Sequence, residues 1–314
     1  MIWLAKAVVQ KFLSIVPYGF QINQWIKKIR KTELDPADPF NTYLRISILE
    51  DLIVHFSHNY KNKIILEVGS GWSVELPALA YLMGFENFSM SDISCLMRND
   101  SIKAKLSTLS SAIEESHKYE IYGTYKIFNS IEFNSKLKIL SKMTNLKEFL
   151  ELTNYKYIYP LDISKLSVTF SDSKVDALIS FATLEHIPKL ILSRSFHEVC
   201  NVLNVHGISI HIIDHNDHFE YIDKSISRLN MHKYSNDIWN ILTSDFNYTN
   251  RLLMEDYYSL INADKLWIKI DPLFYMSPET MAKFIEENPS FKSKEKMLSI
   301  STSKLTLKIK TNVN

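Results

Sequence analysis

Lys63-Ile-Ile-Leu-Glu-Val-Gly-Ser-Gly71 is a short aliphatic run closed by two glycines one residue apart. Such a run, too short for a buried helix and ended by glycine, reads as a buried strand over Lys63 to Val68. Val74 to Met83 then carries helical spacing, with Pro77 tolerable only near the first turn, and Gly84 closes the helix as a C-cap glycine does. Asn87 to Met90 reads as the next strand, ending at Ser91-Asp92. Downstream, Tyr155 to Tyr159, Val175 to Ser180 and Gly207 to Ile213 read as strands, and Lys189 to Leu203 as a helix. Leu266 to Ile270 and Leu305 to Ile309 supply two last strands, with a helix from Pro278 to Glu287 between them. Strand and helix alternating in this way predicts an α/β fold whose mostly parallel sheet is doubly wound, covered by helices on both faces.

The flanks are helical. Residues 1 to 34 read as one helix, Leu34 to Pro39 as a turn because each proline disfavours helix at the residue before it, and Asn41 to His58 as a second helix. Residues 1–58 are therefore a helical N-terminal extension and 59–314 the main domain. Within that domain a Lys- and Ser-rich, mostly helical insertion of about 95–154 stands where a minimal unit would have one helix. The aromatic-rich stretch from Asn216 to Ile261 also reads as helical.

A chain of 314 residues can bury a full core as one elaborated α/β domain. Its formal net charge of +1 gives no basic stripe for phosphates, so no nucleic-acid partner is expected. Cys95 and Cys200, the only cysteines, lack metal or disulfide spacing and fit a reducing cytoplasm. Lys6 and Lys11 interrupt the apolar N-terminus well short of the roughly 20 residues of a membrane span. That helix is expected to pack on the domain, with a peripheral membrane contact through Trp3, Leu4, Phe12 and Leu13 as the alternative.

Two of the chain's six glycines, Gly69 and Gly71, sit between the best strand and a helix. There they let a ligand approach the backbone closely; the plain alternative is a tight turn with no ligand. Two carboxylates favour the ligand. Glu67 precedes the first glycine, and Asp92 ends the next strand 23 residues after Gly69, where a doubly wound sheet places an acid that accepts ribose hydroxyls. A dinucleotide fingerprint would require glycine at position 74, where the chain has Val74, and an acid at Glu67 would oppose a pyrophosphate. A cationic sulfonium and ammonium, as in S-adenosylmethionine, are compatible with that acid.

Ile65-Leu-Glu-Val-Gly-Ser-Gly71 resembles motif I of the class I S-adenosylmethionine-dependent methyltransferases, and Asp92 matches the acid of their second motif. The usual third glycine is Ser73 here. Leu161-Asp-Ile163 looks like the family's adenine-contacting segment, and Val175 to Phe181 followed by Leu184-Glu-His-Ile-Pro188 is similar to its fourth-strand motif. The resemblance covers residues 60–94 and 155–214. It implies a Rossmann-like fold and S-adenosyl-L-methionine as cofactor. It also implies a cofactor set of Glu67, Gly69, Ser70, Gly71, Trp72, Asp92, Ile93, Asp162, Ile163, Ser180 and Phe181, with Ser180 and Phe181 bordering the sulfonium. Gly71-Trp72 and the run Asp214-His-Asn-Asp-His-Phe219 look like a bacterial subgroup associated with surface-polysaccharide or secondary biosynthesis, which implies a small-molecule or saccharide acceptor.

Open α/β sheets bind ligands beyond the carboxyl ends of their strands. Ser180, Glu185, His186, Asp214, His215 and His218 meet that condition. For a hydroxyl acceptor, His215 is the first candidate for general base and His186 the second, each with capping or core packing as its plain alternative. Asp214, His218 and Arg251 are expected to line the acceptor site, Arg251 through its planar fork, against a plain role in salt bridging. Asp214, His215, Asp217 and His218 are ligand types for a divalent metal, but they lie on a turn, and no metal is assigned. Two other functions stay open: a non-catalytic S-adenosylmethionine-binding partner module, and an NAD-type Rossmann oxidoreductase.

Overall fold

The computed structural model describes residues 2–30, 36–119, 125–128, 130–171 and 173–310. Seven strands form one sheet: β1 (Ile64–Val68), β2 (Asn87–Ser91), β3 (Lys156–Ile158), β4 (Val175–Phe181), β5 (Leu203–Asp214), β6 (Leu266–Tyr275) and β7 (Ile300–Ile309). Their order is β3-β2-β1-β4-β5-β7-β6, with β7 antiparallel, an arrangement typical of class I methyltransferases. The sheet is thus α/β, Rossmann-like and mostly parallel, as the alternation predicts. β1 is paired in parallel on both sides, Glu67 opposite Met90 of β2 and Ile179 of β4. This explains why β1 reads as an unbroken apolar run: a strand flanked on both sides and covered on both faces has no polar face to show. Ile65, Leu66 and Val68 are buried accordingly.

The chain divides into two compact units. Residues 31–181, 198–211 and 307–314 make one; residues 1–30, 182–197 and 212–306 make the other. In the first, helix Pro39–Phe56 begins with Asp38 accepting a hydrogen bond from Asn41 N–H and with Pro39 at its first position, a cap and start that suit those residues. The inserted stretch supplies helices Asn99–Ser116, Tyr125–Phe128, Ile131–Leu140 and Leu146–Thr153. Ile102, Leu106, Leu109 and Ile113, along one face of the longest of these, are buried in the unit's core. Part of the expected turn, Leu34 and Asp35, lies outside the described residues.

In the second unit the N-terminal stretch is not one helix. It breaks into Ile2–Ile15 and Gly19–Arg30. Pro17 disfavours helix at Val16, Tyr18 turns to φ +62°, and a Cβ on Gly19 would lie 1.6 Å from the Leu13 carbonyl oxygen, so only glycine fits the joint. Trp3 packs on Phe219 and Tyr234 at 5.3 and 5.8 Å between ring centroids, and its backbone N–H donates to Asp223 Oδ2. Lys11 Nζ donates to the Asn240 and Thr243 carbonyls. Of the four residues expected on a membrane-facing side, Trp3 and Leu13 are buried, Leu4 packs against the Trp3 cluster and Phe12 is exposed. No helix among the described residues is long and apolar enough to cross a membrane.

The stretch 216–261 also departs from the helical expectation. It is mostly turns, with a helix at Asn236–Leu242 and short 3-10 segments at Asn230–Lys233 and Met254–Leu260. The cause is local. Asp214, Asp217, Asp223 and Ser227 each accept the backbone N–H two residues ahead, a side-chain alternative to the helical ladder.

Candidate active site

The candidate side chains fall into two clusters, one in each unit. The first is built on the ends of β1 and β2. Gly69 and Gly71 take φ +73° and +59°, the left-handed region that glycine occupies without strain. Gly71 N–H donates to Asp92 Oδ2 at 2.9 Å, Ser94 N–H donates to Oδ1 at 3.1 Å, and Ser70 N–H donates to the Ser91 carbonyl. A Cβ on Gly71 would meet only the Gly69 carbonyl oxygen, at 3.9 Å, so this side of the turn is open. Asp92 is buried, and burial pushes its carboxyl above the ordinary range despite its backbone donors. Glu67, also buried, accepts a hydrogen bond from Ser70 Oγ at 2.7 Å; burial raises it to about 7, while Ser70 and the charge of Arg45 act in the opposite sense.

The third strand reaches the same place. Asp92 N–H donates to the Ile158 carbonyl, and Leu161 N–H donates to the Asp92 carbonyl, so Asp162 and Ile163 follow directly from a bond to Asp92. Asp162 caps the next 3-10 turn, accepting from the Ser164 N–H and hydroxyl. Burial opposes its ionisation, but these donors and Lys165 outweigh it and the pKa falls. Ile93 is exposed and Trp72 half-buried, its carbonyl accepting from Ser101 Oγ. Ser73, in place of the third glycine, accepts from Glu75 N–H and so helps start helix Glu75–Leu82.

Ser180, which the resemblance sets beside the sulfonium, has its hydroxyl engaged within the sheet. Fully buried, its Oγ lies 2.8 Å from His211 Nδ1, and His211 Nε2 lies 2.7 Å from Ser209 Oγ. Burial pulls His211 down to about 3, so this serine-histidine-serine bridge between β4 and β5 is neutral and structural. Phe181 is stacked beneath the Arg45 guanidinium at 3.8 Å. Arg45 also stands 3.4 Å from buried Glu75, whose other oxygen accepts from Thr42 Oγ1. Sequence reasoning missed this Thr42-Arg45-Glu75 group. Its signal was an arginine three residues after Thr42 in the otherwise apolar buried stripe Leu44, Ile48, Leu49 and Leu52.

The second cluster collects the residues that follow β4 with those that end and follow β5. Asn250 staples Leu184-Glu-His-Ile187 in place: its N–H donates to the Glu185 carbonyl and its Nδ2 to the Leu184 and Ile187 carbonyls. His186 Nδ1 lies 2.8 Å from the Tyr248 carbonyl, and its ring meets that of His218 edge to face at 4.8 Å. His218 Nε2 is 3.2 Å from Asp214 Oδ2, which also accepts from Tyr221 Oη at 2.6 Å. Burial opposes the charging of His218, but Asp214 outweighs it and raises the pKa; the same contacts and the Asn216 N–H draw Asp214, against its own burial, down to about 2. Glu185 is 4 % exposed, and neither carboxylate oxygen has a hydrogen-bond partner. Burial, and then the charge of Asp214, push it up to about 8.

Two expected site residues have other work. His215 is buried with both ring nitrogens engaged, Nδ1 at 3.1 Å from the Leu252 carbonyl and Nε2 at 2.8 Å from Ser303 Oγ. It supports β7 rather than facing an acceptor. Arg251 spends its fork within the protein: Nη1 donates to the Met231 and Tyr234 carbonyls and Nη2 to Asn236. Asp217 likewise serves Phe219 N–H and Asn230 Nδ2.

No family model and no curated protein matches the chain. Solved structures do. The plantazolicin methyltransferase BpumL in complex with SAH is 12% identical, with 98% of this chain and 96% of that one covered, at a TM-score of 0.45. Magnesium protoporphyrin IX methyltransferase from Synechocystis PCC 6803, with bound SAH, is 11% identical over 86% of this chain and 83% of that one, TM-score 0.43. A SAM dependent methyltransferase from Archaeoglobus fulgidus is 11% identical over 86% and 94%, TM-score 0.44. At these scores and identities the matches carry no residue roles.

Proposed function

We propose that the protein transfers a methyl group from S-adenosylmethionine to a hydroxyl oxygen of a small-molecule or saccharide acceptor. The observation that carries this reading is the turn at the ends of β1 and β2, where Gly69 and Gly71 are both left-handed and the backbone at Gly71 is open beside a buried acid, Asp92. Asp92 accepts from the backbone at Gly71, Ser94 and Ile93, and a carboxylate's remaining lone pairs are available to ribose hydroxyls. Gly69, Ser70 and Gly71 would hold the methionine end, with Glu67 behind them. S-adenosylmethionine, when bound, supplies the electrophilic methyl group.

The chain's own contribution is orientation and proton acceptance. His186 and His218 stand together, and Asp214 fixes His218 as a carboxylate fixes the histidine of an acid-base pair. We assign the proton of the acceptor hydroxyl to this histidine pair. His215 is not assigned the role, because both its ring nitrogens already have partners.

The test is calorimetric titration with S-adenosylmethionine, S-adenosylhomocysteine and NADH in parallel, followed by assay of S-adenosylhomocysteine release with a panel of sugars and small alcohols. Saturation by the first two ligands alone is expected. Saturation by NADH alone would overturn the reading in favour of an oxidoreductase, and cofactor binding without turnover across the panel would favour a non-catalytic partner module.

A further inference from the structure

Glu185, His186 and His218 each offer one ligand atom, and all three atoms lie within 4.8 Å of one another. A tetrahedral ion about 2.1 Å from each donor requires separations of about 3.4 Å, so closing the site takes side-chain adjustments of about an ångström. Glu185 gives the cluster its direction. Its carboxylate is buried, lacks any hydrogen-bond partner, and is held there by three bonds from Asn250 to the backbone around it. A buried carboxylate without a donor is costly unless a cation pairs with it. Two further contacts resemble the outer supports of metal ligands. The Tyr248 carbonyl accepts the Nδ1 proton of His186, which in the neutral ring leaves the lone pair on Nε2, and the Asp214 carboxylate, itself held by Tyr221, orients His218.

We infer that Glu185, His186 and His218 form a binding site for a divalent first-row transition metal, supported by Asp214, Tyr221 and Tyr248. Two imidazoles and one carboxylate suit zinc, iron, cobalt or manganese; magnesium and calcium favour all-oxygen sets. The ligand set differs from the one the sequence suggests, since His215 and Asp217 are committed elsewhere and Glu185 and His186 take their places. Three protein ligands leave coordination positions for an exogenous oxygen. Under the methyl-transfer reading that oxygen is the acceptor hydroxyl; in the metal-loaded protein the cation, rather than the two histidines it occupies, would ease loss of the proton, which leaves to solvent. Metal binding itself does not rest on that reading.

The experiment is titration of the chelator-treated 314-residue chain with Co2+, followed by visible absorption, with competition by Zn2+ and no S-adenosylmethionine present. One equivalent of Co2+ is expected, displaced by Zn2+. Glu185→Gln, which preserves shape, and His218→Ala should each weaken binding by at least about a hundredfold, and Tyr221→Phe by about tenfold through Asp214. His55→Ala, in the other unit, should leave it unchanged. Circular dichroism and a melting curve establish that each variant is folded. Absence of stoichiometric Co2+ uptake by the wild type, or uptake that survives both Glu185→Gln and His218→Ala in folded protein, would overturn the assignment. Because the readout is metal uptake, it is independent of whether methyl transfer is ever observed.

Discussion

Glu67 and Glu185 are both buried glutamates placed at or just after the end of a parallel strand, and they differ in what surrounds the carboxylate. Glu67 has a donor, Ser70 Oγ at 2.7 Å, and is raised to about 7; Glu185 has none and is raised to about 8. The difference reflects how each neighbourhood is made. Around Glu67 the turn and the adjacent strand satisfy one another through Ser70, Ser91, Gly71 and Asp92, so the cradle is complete before any ligand arrives. Around Glu185 the neighbours are imidazoles and a second carboxylate, and the polar network is left half satisfied. In a low-dielectric site that is a cost which an arriving ligand can relieve.

The sharpest way to break the comparison is through pH. Both carboxyls are raised from an unfolded value near 4.5, so their contribution to stability is complete below that value and is lost as pH rises towards about 7 for Glu67 and about 8 for Glu185. Between pH 5 and 8 the wild type should lose up to about 4 kcal/mol through Glu185 and up to about 3 kcal/mol through Glu67. Glu185→Gln should therefore flatten the pH dependence of denaturant unfolding more than Glu67→Gln does; equal flattening would mean that Ser70 and Arg45 together do not favour the ionised Glu67 over the ionised Glu185. Tyr221→Phe comes next. Removing a donor from the ionised Asp214 should destabilise by about 1.5–3 kcal/mol at pH 7. Gly71→Ala forces a side chain into the left-handed region and should cost about 1–2 kcal/mol in the same measurement. The smallest effect is expected for Ser73→Gly, a few tenths of a kcal/mol from a lost helix-start acceptor. Its affinity for S-adenosylhomocysteine should stay within about threefold of the wild type, because Ser73 serves Glu75 N–H.

The same contrast explains what the sequence made legible. The cradle is a matter of near neighbours: strand, glycine turn, helix, strand and acid fall within Ile64 to Asp92, so period and spacing were enough to find them. The C-terminal strands and the helix Pro278–Glu287 were legible for the same reason. The second cluster joins residues around 185, 214–221 and 248–250, and no local pattern records that Asn250 staples Glu185 or that Tyr221 holds Asp214. Histidines near strand ends could be named, yet which ring was committed depended on Ser303 and Leu252, distant in the chain. Arg251 was misleading in a related way. Its fork suits an anionic ligand by type, and three acceptors of the protein occupy it. The stretch 216–261 reads as helix from its aromatic content, which does not register the Asp and Ser turns that interrupt it.

Whether the turn at Gly69 to Gly71 with Asp92 is a cofactor cradle is decided by calorimetric titration of the wild type and Asp92→Ala with S-adenosylhomocysteine. The wild type should saturate at one equivalent, and the variant, folded by circular dichroism, should bind at least about a hundredfold more weakly, as loss of two hydrogen bonds to an ionised acceptor requires. Equal affinity in the two proteins would contradict the ribose role of Asp92 and with it the reading of the cradle.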